Sequence, residues 1–473
     1  MSFHAESINP ESPEEVFGWF SSPGAFQRLS PPFLPMRPAR EADSLRDGEA
    51  VLQPTSPLPV VPKLVEPLAP QWLARHDPSE FVQGRRFVDR CVSQPYARLT
   101  GWVHEHTFEP VDVPGGTGTR IGDTVTARVP GSMLESMFAY RHRQFAEDMA
   151  ARRRSHEFGG GDPLTVAVTG ASGLVGTQLC ALLTTTGHRV IRLVRRPAHD
   201  FDEREWDPAA PAPDLLQDVD VLVHLAGASI AGRFNASHMD AVYNSRVGPT
   251  RRLAELVAAR GGETVMVCSS AVGYYGADRG DEVLTEENER GSDFLSKVTF
   301  DWENDCQPAR DAGARVVNVR TGIVLTGAGG VLGVLATLFR TGLGGRLGDG
   351  NQWFSWIAID DLVDALYRAM VDESLVGPVN AVSPEPVRNS ELTAELGRAV
   401  RRPTLLPVPK LGPKLLLGRV GADELALADQ RVAPGVLDER GHRFRYPDLR
   451  SALAHELGRE SLPEPGEFLT ATG

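Results

Sequence analysis

The segment Thr169-Gly170-Ala171-Ser172-Gly173-Leu174-Val175-Gly176 constrains this chain more than any other. It follows the β-branched run TVAV and leads into LVGTQLCALL, which has the composition of a helix. Gly-x-x-Gly-x-x-Gly at a strand-to-helix turn suits a dinucleotide pyrophosphate. Glycine permits the tight turn and close backbone approach, and the helix N-terminus offers unpaired N–H groups with positive partial charge. Gly170, Ser172, Gly173, Leu174, Val175 and Gly176 are therefore the candidate cradle. Downstream, HRVIRLV, VDVLVHLAG, TVMVCSS and ARVVNVRTG are short apolar runs separated by helix-length segments. That alternation predicts right-handed crossovers and an α/β, Rossmann-type, doubly wound parallel sheet.

The second strand, Arg189 to Val194, ends in Arg195-Arg196, where an acidic residue would bind the adenosine ribose of NAD. Two guanidiniums there attract a 2′-phosphate and favour NADP. A solvated basic strand end is the plainer alternative.

A length of 473 residues suggests two or three domains, and 41% hydrophobic residues with 19 Phe and 7 Trp suit folded cores. Forty-nine basic against 62 acidic residues give a net charge of −13, which disfavours nucleic acid as a partner. Cys91, Cys180, Cys268 and Cys306 are widely spaced and expected to be reduced thiols. No apolar stretch approaches a membrane span and the N-terminus lacks a leader pattern, so a soluble cytoplasmic protein without membrane partners is expected.

The composition breaks where Arg152-Arg153-Arg154 runs into Gly159-Gly160-Gly161-Asp162-Pro163. The expected organisation is an α+β domain over 1–155, a linker over 156–163, a nucleotide-binding domain over 164–372 and a C-terminal substrate-side region over 373–473. In the first domain, Pro13 to Phe20 reads as a helix capped by Ser12. FVDRCV, RLTGWVHEHTFEPV and TRIGDTVTARV read as antiparallel strands, and SMLESMFAYRHRQFAEDMAARRRS reads as a helix covering them with Met133, Met137, Phe138 and Phe145. Trp102, His104, His106 and Phe108 alternate onto one strand face. His104-Glu105-His106 shows no third convergent ligand in the sequence, so its histidines read as packing or cavity residues and no metal is assigned.

Residues 164 to about 460 resemble an atypical branch of the extended short-chain dehydrogenase/reductases, the epimerase-family proteins catalogued as nucleoside-diphosphate-sugar epimerases or cell-division-inhibitor-like proteins. The resemblance is carried by VTGASGLVG, HLAGASIAGRF, NSRVGPTR, SSAVGYYG, DFLSKVTFDWE, RTGIVLTGAGG, GLGGRLGDGNQWFSWIAIDDLV and GHRFRYPDLRSAL. It implies that Leu225-Ala226-Gly227 passes the adenosine side of the cofactor, that Arg246 approaches it from a helix, and that Gly322 and Ile323 run beside the nicotinamide. It also implies a small carbonyl or sugar-like substrate, with homodimers common in the family. Residues 1 to about 155 resemble the helix-grip superfamily of polyketide cyclases and lipid-transfer domains through SSPGAFQRLSPP, FVDRCV, WVHEHTFEP and FAYRHRQ, which implies a cavity for an apolar ligand.

Short-chain dehydrogenases use a tyrosine assisted by a lysine four residues later. If Glu303 is matched to the acidic residue that follows the lysine, the two slots hold Leu295 and Thr299. If Lys297 takes the lysine slot, Asp293 takes the tyrosine slot and Glu303 loses its match. In the first register Lys297 lies about 200° around the helix from Thr299 and should face elsewhere. The helper hydroxyl slot holds Ala271, one place after Ser270. Ser270 and Tyr275, with Tyr274 beside the substrate, are the remaining donors because they end a strand on the cofactor side. Gln352 and Trp356 are expected to face the substrate pocket, and Asp360 and Asp361 to cap the next helix. A cofactor-dependent sensor without chemistry is the competing function, as is a carrier of an apolar ligand.

Overall fold

A computed structural model describes residues 2–55, 69–404, 407–409 and 411–470. The chain forms two compact units, one of Met1–Arg154 with Thr184–Gly187 and Ala454–Gly473, the other of Ser155–Leu183 with His188–Leu453. Among the described residues no helix is long and apolar enough to cross a membrane. The four cysteines are buried, and none forms a disulfide among the described residues.

The first unit is built on seven antiparallel strands: β1 (Ser2–Asn9), β2 (Met36–Arg40), β3 (Glu49–Pro54), β4 (Trp72–His76), β5 (Arg86–Cys91), β6 (Val103–Val113) and β7 (Gly116–Thr126). Their order is β1-β7-β6-β5-β4-β3-β2. Helix α1 (Pro13–Ser21) starts where expected, with Ser12 and Glu15 forming a reciprocal capping box and Pro13 in the first turn. A short α2 (Ala25–Arg28) follows it. Residues expected to begin a strand at RLT instead end the helix α3 (Tyr96–Thr100), which Gly101 closes in the left-handed conformation, so β6 begins at Val103.

The long helix α4 (Gly131–Glu157) lays Leu134 and Phe138 against Ala5 and Val125, and Phe145 and Met149 against Phe108 and Ile121. The apolar faces of the sheet and of α4 thus meet in two buried clusters along the helix. Arg28 and Asp148 meet inside it, both side chains at most 1% exposed, through hydrogen bonds of 2.8 and 2.6 Å. Gln144 adds a third hydrogen bond to Asp148 at 3.0 Å.

The boundary near 155 carries no free linker. Helix α4 runs to Glu157, Gly160 donates to the Ser155 carbonyl, and Phe158 lies under the Arg368 guanidinium at 4.0 Å within the second unit. From Ala454 onward the chain belongs to the first unit rather than to a substrate-side region. His455 stacks on Tyr140 at 4.4 Å and contacts Gln144, and Ile8 donates to the Pro465 carbonyl.

The second unit contains a seven-stranded parallel sheet. It runs through β8 (Thr165–Thr169), β9 (Arg189–Val194), β10 (Glu203–Glu205), β11 (Val221–His224), β12 (Val265–Ala271) and the strands Val316–Thr321 and Gly377–Ala381, in the order β10-β9-β8-β11-β12-(316–321)-(377–381). Separate apolar clusters cover its faces, one including Leu179, Leu182 and Leu366, the other Leu253, Val257 and Trp302. The expected end of the sheet near residue 372 is corrected by Gly377–Ala381. That strand pairs with Val316–Thr321 in parallel, and Val379 and Ala381 are buried.

Substituting Asp148→Asn removes the carboxylate that accepts two hydrogen bonds from buried Arg28, and urea denaturation is expected to show a loss of about 3–5 kcal/mol. Glu49→Gln, in the exposed pairs with Arg40 and Arg75, is expected to change stability by no more than about 1 kcal/mol.

Candidate functional site

Strand order reverses between β8 and β11, so the crevice outside their C-terminal ends is the topological switch point of the sheet. The glycine segment lies there, between β8 and α5 (Leu174–Thr185). Gly170 has φ +69°, and a Cβ on it would stand 2.9 Å from the Leu225 carbonyl carbon. A Cβ on Gly176 would stand 2.2 Å from the Gly170 oxygen, so these two glycines let the turn close against its neighbours. Ser172, Gly173 and Leu174 are exposed, Val175 packs on the core, and the first turn of α5 faces outward with its N–H groups. The cradle fits a diphosphate.

A buried hydrogen-bond chain holds this turn to the adjacent loop. Thr169 Oγ1 is 2.7 Å from His224 Nδ1, and His224 Nε2 is 3.0 Å from Thr250 Oγ1. Thr169 Oγ1 also accepts from the backbone N–H groups of Leu225 and Ala226, and Thr250 donates to the Arg246 carbonyl. Burial, reinforced by the Arg246 charge, pulls His224 down to about 3, so the imidazole is neutral near pH 7. Arg246 sits in the turn after the helix Ala236–Asn244, not on a helix as implied. Its guanidinium lies flat against Gly227, where a Cβ would be 3.0 Å from Cζ, and donates to the carbonyls of Ala228 and Val242. Arg246 therefore braces the 225–228 loop.

The arginine pair is split. Arg196 makes two hydrogen bonds to Glu203, at 2.8 and 2.6 Å, and holds that carboxyl down to about 2. Arg195 is exposed and has no hydrogen bond or ion pair among the described residues. Only one of the two guanidiniums is thus free for an anion.

At the same end of the sheet, Ser270, Arg320 and Asn380 are register partners on three adjacent strands. Arg320 pairs with Glu303 through two hydrogen bonds of 2.8 Å, and Ser270 donates to Glu303 at 2.6 Å. Tyr275 departs from its expected role as a donor. It is fully buried, its hydroxyl donates to Asn380 Oδ1 at 2.7 Å and accepts from Arg320 at 3.1 Å, and burial pushes its pKa up to about 12. Ser270 is 3% exposed and engaged by Glu303. Tyr274 is half-buried, its ring lies 3.4 Å from the Arg320 guanidinium carbon, and its hydroxyl makes no hydrogen bond among the described residues.

The helix Phe294–Asn304, capped by Asp293, resolves the two registers. Leu295 and Thr299 are buried on the face shared with Glu303, and the Thr299 hydroxyl donates to backbone carbonyls. Lys297 points outward, its side chain 60% exposed and paired with Asp301. No Tyr–Lys pair occupies this helix. Gly322 and Ile323 are half-buried, their N–H groups bonded to Ala381 and Ser355 carbonyls.

Trp356, expected to face a pocket, is fully buried, and its indole donates to the Glu385 carbonyl. It belongs to a strand paired with Ile323–Leu325. Gln352 is half-buried, with its amide donating to the Leu347 carbonyl at 3.3 Å. Asp360 and Asp361 are not caps: Ala358 is the cap residue, and buried Asp361 accepts from the backbone of Arg445 and Tyr446. Sequence reasoning missed His224, Glu203, Arg320 and Asn380. Polar residues closing the apolar runs VLVH and VVNVRT were the available signal for His224 and Arg320, whereas nothing local marks Glu203.

Residues 166–380 match the NAD dependent epimerase/dehydratase family, and 408–456 match a domain of unknown function. An epimerase family protein of Mycobacterium bovis is 41% identical over 62% of this chain and 98% of its own length. The structure of a nucleoside-diphosphate sugar epimerase from Corynebacterium glutamicum is 47% identical with a TM-score of 0.82, covering 97% of this chain and 91% of that one. The human epimerase family protein SDR39U1, solved with NADPH, is 31% identical with a TM-score of 0.57, covering 62% and 99%.

Because His224 is neutral in the fold and titrates near 6.5 when unfolded, its contribution is complete above about pH 6.5 and is lost progressively as pH falls toward 3. Between pH 7 and pH 5 the protein is expected to lose about 2 kcal/mol more than His224→Gln does, read by urea denaturation at each pH. Equal losses would contradict the buried neutral imidazole.

Proposed function

Because the chain belongs to the NAD-dependent epimerase/dehydratase family, we propose that its second unit binds NADP(H) and catalyses an oxidoreductase or epimerase step on a small carbonyl or sugar-like substrate. The unpaired guanidinium of Arg195 at the end of β9, beside an Arg196 already committed to Glu203, carries this reading. Arg195 binds the 2′-phosphate, and the N-terminus of α5 with Ser172 and Gly173 receives the diphosphate. The 225–227 loop, braced by Arg246 and His224, lines the adenosine side, and Gly322 and Ile323 line the nicotinamide side. Bound NADPH supplies hydride to a carbonyl carbon. The carbonyl oxygen then needs a proton, and Tyr274 provides it from its unengaged hydroxyl. The Arg320–Glu303 pair holds the ring from below, and Ser270 and Tyr275 hold that pair.

A second reading is favoured by one observation: Leu295 and Thr299 stand where a tyrosine and lysine would be. Under it, the unit binds NADP(H) as a sensor or scaffold without turnover. For the first unit, a helix-grip reading is supported by the long helix against a seven-stranded antiparallel sheet, and an open pocket of about 630 Å³ lined by Phe17, Phe108 and Pro110 beside Glu14 and Arg85 is its candidate ligand site.

Arg195→Glu is expected to weaken NADPH binding at least about tenfold in a fluorescence titration while changing NADH by less than about threefold, since a charge-assisted contact contributes about 1.5–3 kcal/mol. Arg196→Ala should have the smaller effect. Tyr274→Phe is expected to lower NADPH-dependent carbonyl reduction by about 10²-fold with unchanged NADPH affinity. NADPH binding without turnover of any carbonyl by the unaltered protein would select the sensor reading.

A further inference from the structure

Outside the nucleotide site, the densest group of titratable side chains lies on the inner face of the first unit's sheet. His104 and His106 alternate on β6, Asp89 faces His104 from β5, and Asp123 faces His106 from β7. Asp89 supplies the third convergent ligand that the His-Glu-His sequence lacks, because strand pairing brings it from a segment with no local signal. His142, on α4, closes the group above the sheet. All five side chains are buried, none more than 9% exposed by residue.

We propose that this cluster is a binding site for one divalent transition-metal ion of the zinc class, ligated by His104, His106 and Asp89. One nitrogen from each histidine and one carboxylate oxygen lie within 4.8 Å of one another. Asp89 Oδ2 is 3.2 Å from His104 Nδ1 and 3.8 Å from His106 Nε2. Two ligand bonds of about 2.0–2.1 Å at a tetrahedral angle set their outer atoms about 3.4 Å apart, so both separations suit ligands on a shared ion.

The groups behind the ligands have the character of a metal site's supporting layer. Asp123 Oδ1 is 2.7 Å from His104 Nε2 and 2.9 Å from His106 Nδ1, so one carboxylate faces the far nitrogen of both rings. For His104, whose Nε2 is hydrogen-bonded to Asp123, that arrangement places the proton on the far side and leaves the Nδ1 lone pair toward Asp89. Asp123 Oδ2 is 3.1 Å from His142 Nε2, and Ser7 Oγ is 2.7 Å from His142 Nδ1. Trp102 donates its indole N–H to Asp89 Oδ1 at 3.2 Å, which leaves Oδ2 for the ion.

A proton is the rival occupant. An imidazolium at His104 could bridge Asp89 and Asp123 unaided, but it leaves His106 short of partners. His106 Nδ1 makes no aligned hydrogen bond despite its distance to Asp123, and its Nε2 is too far from Asp89 for one. A cation on His106 Nε2 and Asp89 Oδ2 gives that nitrogen the partner it lacks, and the two-nitrogen, one-oxygen set suits zinc or its first-row neighbours.

The test uses the full chain, untagged. The protein is stripped with a chelator and titrated with Co²⁺ and then Zn²⁺, following visible absorption and thermal midpoint. The expected result is a cobalt spectrum that saturates at about one equivalent, is displaced by Zn²⁺ and accompanies a raised midpoint. His106→Gln and Asp89→Asn are expected to weaken binding at least about tenfold. If the stripped, folded protein shows no cobalt bands in excess metal and no shift in midpoint, a proton occupies the cluster and the proposal fails. Retention of full affinity by both variants would overturn it equally. If a variant does not fold, the titration of the unaltered protein decides.

Discussion

The second unit depends on one neutral imidazole. His224 ends β11 with a hydrogen-bond partner on each ring nitrogen, Thr169 at the end of β8 and Thr250 at the start of the helix Pro249–Ala259. Through these it fixes the mouth of the glycine turn relative to the 225–227 loop, and through the Thr250 hydroxyl it reaches the backbone of Arg246. A charged histidine would bring a second cation beside Arg246 from a fully buried position, so burial selects the neutral form.

A second polar network stands across the sheet. Ser270, Glu303, Arg320, Tyr275 and Asn380 satisfy one another so fully that little is left for a substrate, except where the chain turns outward at Tyr274. This division separates groups that hold the site from groups able to react. Buried networks of this kind rigidify a core because any missing partner is costly.

Much of the fold was legible in the sequence because its signals are local. The glycine turn, the apolar runs of the parallel strands and the Ser12 cap each depend on neighbours within a few residues. The site was legible only in part. Arg195 and Arg196 look alike in sequence, and only Glu203, seven residues on, distinguishes them. Adjacent tyrosines 274 and 275 differ because Asn380, more than a hundred residues away, engages one of them. Trp356 followed the same pattern: an aromatic in a pocket-like motif is claimed by a core that tertiary packing alone defines. Asp89 joined His104 and His106 through strand pairing, which the sequence of either strand does not specify.

The most direct measurement of the central claim is a crystal structure of the full chain soaked with NADPH. The account predicts the diphosphate at the N-terminus of α5, the 2′-phosphate on the Arg195 guanidinium with the Arg196–Glu203 pair intact, and the Tyr274 hydroxyl facing the nicotinamide side. A nucleotide whose 2′-phosphate displaces Glu203 from Arg196, or a cleft that excludes NADPH at saturating concentration, would contradict it.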